Sequence, residues 1–407
     1  MGPAHEHFDA TRAFTHIEKL ALLRRFPGTP GEREAQEYLK GVGEEIGVPM
    51  KEEEFTYSSA PLTVILPGIC VVLGLLCVTG SLTYLWGTPL CMIPGAILLL
   101  AIYLGFKWSG TFELAGAKGG KSRSVNLLGE IKGTEPQGTV ILSAHYDSKS
   151  QTMPVVVRAA FYMIGFLFAI LLGLALVVLG ILSAAGPDYL GSRTGFWVTL
   201  IPAFFLVALA FNFTGNRSPG AVDNAAGEAV ILESARVLSG EPLKNFDVIV
   251  ASFGCEEVGL CGSVSYLLAH EVELKERRCY VLNFDIPFSP AGNLYLNTRF
   301  ELPPTDTSKY LNGLAREAAR DMGIEVKGLF LPVGAAADHM PWVKHGFEAT
   351  GFVSATTYVH RAGDTPEKID REGLRRVGEV ALAVVRRIDQ EASPSPACPV
   401  NPDTDLR

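Results

Sequence analysis

The sequence predicts an α/β protein with a mostly parallel sheet covered by helices on both faces, interrupted by two transmembrane helical hairpins. Two observations lead to this prediction. Four long apolar segments divide an otherwise polar chain, and outside them short apolar runs ending in polar or turn residues alternate with amphipathic helical patterns. Long apolar segments are typical of bilayer spans, and short apolar runs of this kind are typical of buried strands.

The composition indicates contact with lipid and excludes several other classes of protein. The 407 residues are 48% hydrophobic and 19% charged, and the mean hydropathy of +0.24 is high for an ordinary soluble domain. The net charge of -8 is spread along the chain without a Lys/Arg block, so nucleic acid is not expected as a partner. The seven cysteines lack paired spacing, and the polar N-terminus lacks the apolar core of a cleavable signal peptide.

The four apolar segments favour membrane spans because a hydrocarbon core of about 30 Å requires roughly 17 to 25 helical residues. The shorter second and fourth segments alone would also fit buried core helices. Each of them follows a longer segment after a brief linker, which favours two helical hairpins. The predicted spans are 62–86, 90–106, 159–182 and 196–213.

Without the hairpins, the remaining sequence has the pattern of a single discontinuous α/β domain. Its predicted strands lie in "GTVILSAHYDS", "FDVIVASFGCEE", "RRCYVLNFDIP" and "GFEATGFVSATTYVH". Helical patterns cover 31–47, 221–240, 307–323 and 370–390. The predicted organisation is an α/β domain over 1–60, 108–153 and 214–392, hairpins over 61–107 and 154–213, and a disordered Pro/Ser-rich tail over 393–407.

Polar residues follow the predicted strands at the sheet edge where α/β proteins bind ligands. They are His145 and Asp147, Glu256 and Glu257, Asp285 and His360, with Asp223 at the start of a helix. Each motif alone has an ordinary interpretation as a turn, a helix cap or a surface group, but their ordered arrival at strand ends favours one shared site. Imidazole and carboxylate ligands without thiolate suit zinc or a similar divalent cation, which would offset the repulsion between the carboxylates.

Six motifs together resemble the co-catalytic zinc peptidases, which include bacterial leucyl-type aminopeptidases, the glutamate carboxypeptidase type and glutaminyl cyclases. The motifs are "HYDS", "GAVDNAAG", "CEEVGLCGS", "NFDIP", "ADHMPW" and "YVHRAGDTPEKID". The resemblance covers the chain outside the hairpins. It implies a doubly wound three-layer α/β/α sandwich with a mostly parallel mixed sheet, and two zinc ions per subunit.

The resemblance also implies a metal ligand set. Asp223 would bridge the two metals, His145 and Asp285 would complete one site, and Glu257 and His360 would complete the other. All five expected ligands are present, which argues against an inactive relative.

Two further residues acquire catalytic roles from the resemblance. Glu256 would be the general base that deprotonates a metal-activated water and then gives a proton to the leaving amine. Asp147 would orient His145 by accepting its second ring proton.

Departures from the family pattern lie close to the same motifs. Cys255 and Cys261 flank the glutamate pair. We expect both to be structural thiols, although a depressed pKa would make either one a site of oxidation. The Gly/Ser-rich lead-in expected before Asp338 and His339 is absent, so these two are weaker candidates for lining the pocket.

The order of motifs and hairpins predicts a membrane topology. His145 precedes the second hairpin and Asp223 follows it, so that hairpin crosses the membrane an even number of times if both residues bind one metal. The positive-inside rule then puts the catalytic domain and both termini in the cytoplasm, with the protein an integral, multi-pass membrane protein. The cations on the catalytic side are Lys107, Lys118, Lys121, Arg123, Arg158 and Arg217, against Arg193 in the far loops.

The function predicted from these features is a membrane-anchored zinc exopeptidase that hydrolyses peptides, with an aminopeptidase as the leading hypothesis. The alternatives are a glutaminyl-cyclase-like aminoacyl transferase with one zinc and a non-catalytic scaffold, although a scaffold would be expected to have lost ligands. Two roles for the hairpins stay open: a simple anchor in the lipid bilayer, or a portal selecting membrane-derived peptides or apolar N-terminal residues. Substrate preference, exo or endo action and oligomeric state also stay open.

Overall fold

Two structural units make up the chain in the computed structural model, which describes residues 7–107, 116–118, 120–186, 193–332 and 334–391. Within those limits the first unit comprises Met1–Ser58, Ala117–Ser150 and Gly215–Arg407, and the second comprises Ser59–Gly116 and Gln151–Thr214. The predicted disordered tail 393–407 lies outside the described residues.

A nine-stranded sheet organises the described part of the first unit. Its strands are β1 (Lys51–Tyr57), β2 (Ser122–Ile131), β3 (Gly138–His145), β6 (Phe246–Phe253), β7 (Arg278–Asp285), β8 (Leu294–Phe300), β9 (Thr305–Asp306), β10 (Val326–Leu331) and β11 (Glu348–Val353). Two strands of two residues each, β4 (Ser150–Gln151) and β5 (Thr214–Gly215), lie where the chain passes between the units. The spatial order is β1-β2-β6-β3-β7-β11-β8-β10, with β9 beside β8.

The four middle strands, β6, β3, β7 and β11, are parallel. They are the four strands predicted from the sequence, and every residue of β3 is buried, as expected for a strand covered on both faces. Towards the edges, β1, β2, β8 and β9 join by antiparallel pairing, while β10 runs parallel to β8. The sheet is therefore mixed, and the expected mostly parallel pattern holds for its four central strands.

Twelve helices are named here in chain order. They are α1 (Ala10–Leu22), α2 (Pro30–Glu45), α3 (Leu66–Leu85), α4 (Met92–Lys107), α5 (Val155–Ala185), α6 (Arg193–Thr199), α7 (Ile201–Leu209), α8 (Ala226–Gly240), α9 (Cys261–Lys275), α10 (Lys309–Asp321), α11 (His339–Lys344) and α12 (Arg371–Gln390). Helices α3 to α7 belong to the second unit and the others to the first.

Helices cover both faces of the sheet and make it the middle layer of three. On one face, α1, α8 and α12 contribute to a core that includes Ile17, Val230 and Val384. On the other face, α9 and α11 contribute Leu267 and Trp342 to a second core. Because apolar side chains of the central strands alternate between these two cores, the strands are held in one register.

Side-chain caps explain where several of these helices begin. Asp9 accepts hydrogen bonds from the backbone N–H groups of Thr11 and Arg12 at the start of α1. Asp370 accepts one from Gly373 N at the start of α12. These caps supply acceptors to N–H groups that the helices themselves leave without partners.

Three helical segments of the second unit are long and apolar enough to cross a membrane, among the described residues. They are Pro61–Leu85, Pro89–Lys107 and Val155–Ala185, and they overlap the first three predicted spans. The fourth predicted span is not confirmed, because α6 and α7 make a shorter apolar segment, Arg193–Leu209, that is interrupted at Leu200. Pro202 at the start of α7 has no backbone N–H to continue the hydrogen bonding of the preceding turn.

Small residues let the two predicted hairpins pack together into one helical unit. A Cβ added at Gly95 of α4 would lie 2.9 Å from the carbonyl oxygen of Gly173 in α5. Close backbone approach of this kind is a common way for helices to associate in membranes, where burying apolar surface adds little.

Candidate active site

The predicted site residues all meet at the carboxyl ends of the central parallel strands. His145 is the last residue of β3 and Asp285 the last of β7, while the glutamate pair follows β6. The seven residues His145, Asp147, Asp223, Glu256, Glu257, Asp285 and His360 are all buried. Parallel strands end at one sheet edge, which is why residues distant in sequence converge there.

Two groups of ligand atoms share one carboxylate. The first group contains His145, Asp223 and Asp285, the second contains Asp223, Glu257 and His360, and the ligand atoms within each group lie within 4.8 Å of one another. Asp223 Oδ1 lies 3.2 Å from His145 Nε2, and Asp223 Oδ2 lies 3.1 Å from His360 Nε2. Asp223 thus presents one oxygen to each group.

The atoms of the first group fit a zinc ion. His145 Nε2 is buried without a hydrogen bond of acceptable geometry in the described part of the chain. It faces Asp223 Oδ1 at 3.2 Å, Asp285 Oδ1 at 3.6 Å and Glu256 Oε2 at 3.8 Å. A buried imidazole nitrogen surrounded by carboxylate oxygens is a typical zinc donor set, and a divalent cation would offset the repulsion among the acids.

The electrostatics of the shared carboxylate favour positive charge beside it. Burial alone would lower the pKa of His145, but the Glu256 carboxylate and contacts with Asp147, Asp223 and Asp285 raise it well above its ordinary value. Burial alone would raise the pKa of Asp223, but its contacts with the two histidines lower it. The site therefore stabilises cations and an ionised Asp223.

The two adjacent glutamates have opposite properties. Burial raises the pKa of Glu256 well above its ordinary value, and the charges of Glu257, Asp285 and Asp338 act in the same direction. Burial would also raise the pKa of Glu257, but the nearby His360 and Lys149 lower it. Glu257 is therefore suited to stay ionised as a ligand, whereas the surroundings of Glu256 favour its protonated form.

Asp147 holds the glutamate turn as well as contacting His145. His145 Nδ1 lies 3.2 Å from the backbone oxygen of Asp147 and 3.5 Å from its Oδ1, so the shorter contact is with the backbone. The carboxylate accepts hydrogen bonds of 3.1 Å from the backbone N–H groups of both Glu256 and Glu257. The predicted orienting residue thus also positions the pair.

Asn224, which belongs to the motif "GAVDNAAG" but was given no role from the sequence, contacts the backbone on both sides of Asp285. Its Nδ2 donates to the carbonyl oxygen of Phe284 at 2.7 Å, and its Oδ1 accepts from the N–H of Ile286 at 3.3 Å. A Cβ at Gly227 would lie 2.2 Å from the same Phe284 oxygen, so glycine permits the close approach of α8 to the end of β7. The position of Asn224 directly after the shared aspartate was the available signal.

Arg25, which no sequence motif indicates, joins two segments of the site. Its guanidinium is fully buried and donates to the carbonyl oxygens of Tyr146 at 2.6 Å, Pro219 at 2.8 Å and Gly220 at 2.8 Å. Tyr146 lies beside His145, and the other two acceptors precede Asp223. Arg25 thus connects segments that the second hairpin separates in sequence.

Three residues with left-handed backbone are candidate ligands or lie within two residues of one. They are Cys255 with φ 59°, Ile286 with φ 51° and His360 with φ 60°. Non-glycine residues adopt this conformation rarely, and such positions concentrate at functional sites where the surroundings hold them.

The cysteines beside the glutamates have the properties of structural thiols. Cys255 and Cys261 are buried in a small apolar cluster with Phe55, Tyr57 and Val258. Burial raises the pKa of Cys261 to about 12 and that of Cys255 well above its ordinary value. The depressed pKa that oxidation sensitivity would require is not observed.

Asp338 and His339, the weaker pocket candidates, are both fully enclosed. Asp338 accepts a hydrogen bond from Ser263, and burial raises its pKa to about 7. His339 Nε2 lies 2.7 Å from Asn297 Oδ1, and burial lowers the pKa of the imidazole to about 3. His339 is thus a neutral core residue, whereas Asp338 influences the charge state of Glu256.

A carboxylate shared by two histidine-containing ligand groups at the ends of parallel strands supports a zinc metallopeptidase. Residues 206–385 match the model of peptidase family M28. The chain is 31% identical over 190 residues to aminopeptidase YwaD of Bacillus subtilis. The aligned region covers 44% of this chain and 40% of that protein. It is 38% identical over 74 residues to the probable lipoprotein aminopeptidase LpqL of Mycobacterium tuberculosis. That alignment covers 18% of this chain and 15% of that protein. The chain thus spans less than half the length of these relatives.

Solved structures show the same fold at low sequence identity. A zinc aminopeptidase from Bacillus subtilis matches with a TM-score of 0.57 and 17% identity, covering 96% of this chain and 98% of that one. A glutaminyl cyclase from an Acidobacteriales bacterium matches with a TM-score of 0.54 and 14% identity, covering 96% of this chain and 98% of that one. The fold is therefore common to hydrolases and cyclases.

Proposed function

We propose that this chain is a membrane-anchored, zinc-dependent exopeptidase that acts as an aminopeptidase on peptide substrates. The observation that carries the proposal is the shared carboxylate of Asp223, with one oxygen facing His145 and the other facing His360. A carboxylate presented to two ligand groups supports two zinc ions per subunit. The match to family M28 and the identity to an aminopeptidase support hydrolysis of peptide bonds.

The ligand residues would divide between two zinc ions. His145 and Asp285 would hold one ion, Glu257 and His360 the other, and Asp223 both. When bound, the pair of ions would activate a water molecule and polarise the scissile carbonyl.

Glu256 would move the proton in this reaction. Its buried carboxylate would take a proton from the attacking water and later give one to the leaving amine, so each bond change is balanced within the site. Its raised pKa suits both directions of transfer. Asp147 would keep the Glu256 side chain in place by accepting a hydrogen bond from the backbone N–H of Glu256. A small movement of the turn that carries Glu256 would therefore reduce the rate of hydrolysis.

Cyclisation of N-terminal glutaminyl peptides is the second candidate because a glutaminyl cyclase shares the fold. The second ligand group of Asp223, Glu257 and His360 favours the two-metal hydrolytic reaction instead. The two reactions release different products, so they can be separated directly.

The test uses the purified full chain in detergent with added Zn2+ and peptides of varied N-terminal residue. Mass spectrometry of the products should show loss of single N-terminal residues, with activity removed by a chelator and restored by Zn2+. Peptides with N-terminal glutamine that lose only ammonia would indicate the cyclase. Cleavage that continues unchanged in excess chelator would contradict a zinc peptidase.

The position of the site residues along the chain supports four membrane crossings. The first unit contains both β1 and β2, which flank α3 and α4, and both His145 and Asp223, which flank α5 to α7. Each intervening segment must then cross an even number of times. Because α5 is long enough to cross once, the apolar segment Arg193–Leu209 and the few residues after it would provide the return.

The first unit would form the peptidase domain, for which we propose the bounds 1–60, 108–153 and 214–392, and the hairpins 61–107 and 154–213 would be its anchor. Cations next to the spans, including Lys107, Arg158 and Arg217, would lie on the catalytic side, and Arg193 would lie on the opposite side. By the positive-inside rule the catalytic domain and both termini would be cytoplasmic.

A further inference from the structure

Arg25 is a buried cation whose hydrogen-bond partners are all neutral. Its side chain is fully enclosed, and Nε donates to the carbonyl oxygen of Tyr146 at 2.6 Å. Nη1 donates to the carbonyl oxygens of Leu20 and of Pro219, the latter at 2.8 Å, and Nη2 donates to that of Gly220 at 2.8 Å. Within the described ranges, every acceptor of this guanidinium is a backbone oxygen. The position favours arginine because its fixed fork of donors can reach acceptors that lie in several directions.

The acceptors of the guanidinium lie on the two chain segments that carry the first ligand group. Tyr146 directly follows His145, and the turn 219–220 shortly precedes Asp223. The chain between these segments passes through the second unit, so no short loop fixes the spacing of the two ligand residues. One side chain therefore bridges two segments that are far apart in sequence.

The turn before Asp223 fits closely around the guanidinium. Gly220 has a φ of +62°, a conformation that glycine adopts without strain. A Cβ at this position would lie 2.8 Å from Arg25 Nη2 and 2.5 Å from the Cβ of Ser148. The Gly220 oxygen that accepts from Arg25 also accepts from the N–H of Ala225 at 3.0 Å. A displaced guanidinium would therefore disturb the backbone on both sides of Asp223.

The main chain of Arg25 is bound to only one of the two segments, among the described residues. Its carbonyl oxygen accepts from the N–H of Ser148 at 3.2 Å, and its N–H donates to Ser148 Oγ at 3.3 Å. Ser148 belongs to the segment of His145, so Arg25 stays attached to that segment when its side chain is changed. The link from Arg25 to the segment of Asp223 is made by the guanidinium.

The segment of Asp223 is also held from the side of the second ligand group. Asp364, on the loop that carries His360, accepts a 2.6 Å hydrogen bond from the backbone N–H of Val222. The turn thus has one contact with the loop of His360 and another with Arg25, which is bound to the segment of His145. The two contacts act from opposite sides of the shared carboxylate.

We propose that Arg25 is a positioning residue that sets the spacing of His145 and Asp223, and with it the geometry of a metal ion at the first ligand group. Arg25 acts through the backbone of both segments and not on the reacting atoms. A misplacement of about 1 Å at a catalytic site can reduce the rate ~100-fold, so a small change in this spacing matters. This inference rests on the proposed function, because it presumes that the first ligand group holds zinc.

The test compares Arg25→Lys and Arg25→Gln with the wild type, as the purified full chain in detergent. Each replacement has fewer donors than a guanidinium and cannot reach all of its acceptors. With Zn2+ bound, kcat for the peptide that the wild type cleaves fastest should fall ~100-fold, whereas KM should change little. With Co2+ in place of zinc, the visible absorption bands should shift in wavelength or intensity, because they depend on the geometry of the ligands.

Two controls separate positioning from a general loss of stability. Val384→Ala leaves a cavity in the core to which α1, α8 and α12 contribute, so it should lower the unfolding midpoint. Its Co2+ bands and the kcat of the folded protein should stay at the wild-type values. Arg386→Lys changes a partly exposed arginine that pairs with Glu241, and it should behave as the wild type throughout.

A third variant disturbs the same contact from the turn. Gly220→Ala introduces a Cβ close to Arg25 Nη2, so it should change the Co2+ bands and lower kcat as the Arg25 variants do. The conclusion then does not depend on Arg25→Lys or Arg25→Gln folding well.

Several results would overturn the inference. Wild-type Co2+ bands and wild-type kcat in the folded Arg25 variants would do so, and the same result in Gly220→Ala decides the matter if neither Arg25 variant folds. Equal changes of the bands in Val384→Ala would show that they follow stability and not position. These results would leave the zinc peptidase intact. A wild type that cleaves no peptide, but whose Co2+ bands change on substitution of Arg25, would instead contradict the proposed function alone.

Discussion

Asp364 Oδ1 accepts a 2.6 Å hydrogen bond from the backbone N–H of Val222, the residue that precedes the shared carboxylate. Asp364 Oδ2 lies 3.3 Å from the backbone N–H of Asp223 itself. Because Asp364 lies four residues after His360, one loop carries a proposed ligand and also holds the turn that carries Asp223. The position of Asp223 thus depends on a residue that is not itself a ligand.

Removing this acceptor should destabilise the site. Asp364→Ala leaves two buried N–H groups without an acceptor, so we expect a loss of about 1–3 kcal/mol in stability and weaker zinc binding. Asp364→Asn keeps one carbonyl oxygen and should lose less. Thermal unfolding in detergent and Zn2+ titration measure the two effects, and a wild-type result for Asp364→Ala in both would show that the turn is held by other contacts.

Substituting the proposed general base should separate catalysis from metal binding. Glu256→Gln should lower kcat for amide hydrolysis by ~100-fold or more, because an amide cannot accept the proton from water. Zinc content should stay at the wild-type level, since Glu256 is in neither ligand group. The exposed Glu273→Gln provides a control of the same chemistry. Full activity in Glu256→Gln would exclude the proposed mechanism.

The first unit should lose stability on mild acidification through His16. Burial, with a smaller effect of Arg12, lowers the pKa of His16 to about 4, and its Nδ1 lies 2.8 Å from Tyr38 Oη. The unfolded chain takes up a proton near pH 6.5 and the folded chain only near pH 4, so stability is present above pH 6.5 and is lost as pH falls towards 4.

This effect amounts to about 2 kcal/mol between pH 7 and pH 5. His16→Gln, which has no titrating side chain, should show a correspondingly smaller drop in the unfolding midpoint over that range, even if its midpoint at pH 7 is lower. An equal drop in the variant and the wild type would mean that other groups cause the acid sensitivity.

The cysteines next to the glutamates should be unreactive in the folded protein. Because the pKa of Cys261 is raised to about 12, its alkylation at pH 8 should be more than ~100-fold slower than that of an ordinary exposed thiol. Cys255 should behave in the same way. Peptide mapping after iodoacetamide treatment measures this, with the protein unfolded in guanidinium as the reference. Rapid labelling in the folded state would contradict the burial.

The membrane orientation can be tested with two single substitutions at exposed positions. Arg193 lies between the two proposed spans of the second hairpin, and Lys244 lies in the first unit. In intact cells a membrane-impermeant maleimide should label only Arg193→Cys, and opened cells should allow both to be labelled. Labelling of Lys244→Cys in intact cells would reverse the proposed orientation, and equal labelling of both before opening would argue against an even number of crossings.

The central strands and the polar residues at their ends were predictable because the signals for both are local. A short apolar run that ends in a polar residue reflects burial of the strand itself, and this pattern identified β3, β6, β7 and β11 with His145 and Asp285 at strand ends. The fourth predicted span stays unconfirmed by the structure. Its composition is apolar, but Pro202 and the break at Leu200 divide it into two short helices.

The edge of the sheet shows why local sequence patterns do not predict which strands pair or in which direction. Strands β1 and β2 have residues between them that fold into another unit, yet they pair directly along their whole register. Their antiparallel direction results from pairing between segments that are distant in sequence, so it cannot be predicted from a local sequence pattern.

The amino-acid sequence by itself determined which residues could act as metal ligands and which segments are buried strands, amphipathic helices or apolar spans, because those properties depend on each residue and its near neighbours. Only the tertiary structure decided that Lys149 contacts Glu257, that Asp147 holds both glutamates and that Arg25 joins two segments of the site. These contacts join residues distant in sequence, and their partners are chosen by packing and by the need of buried polar groups for hydrogen bonds.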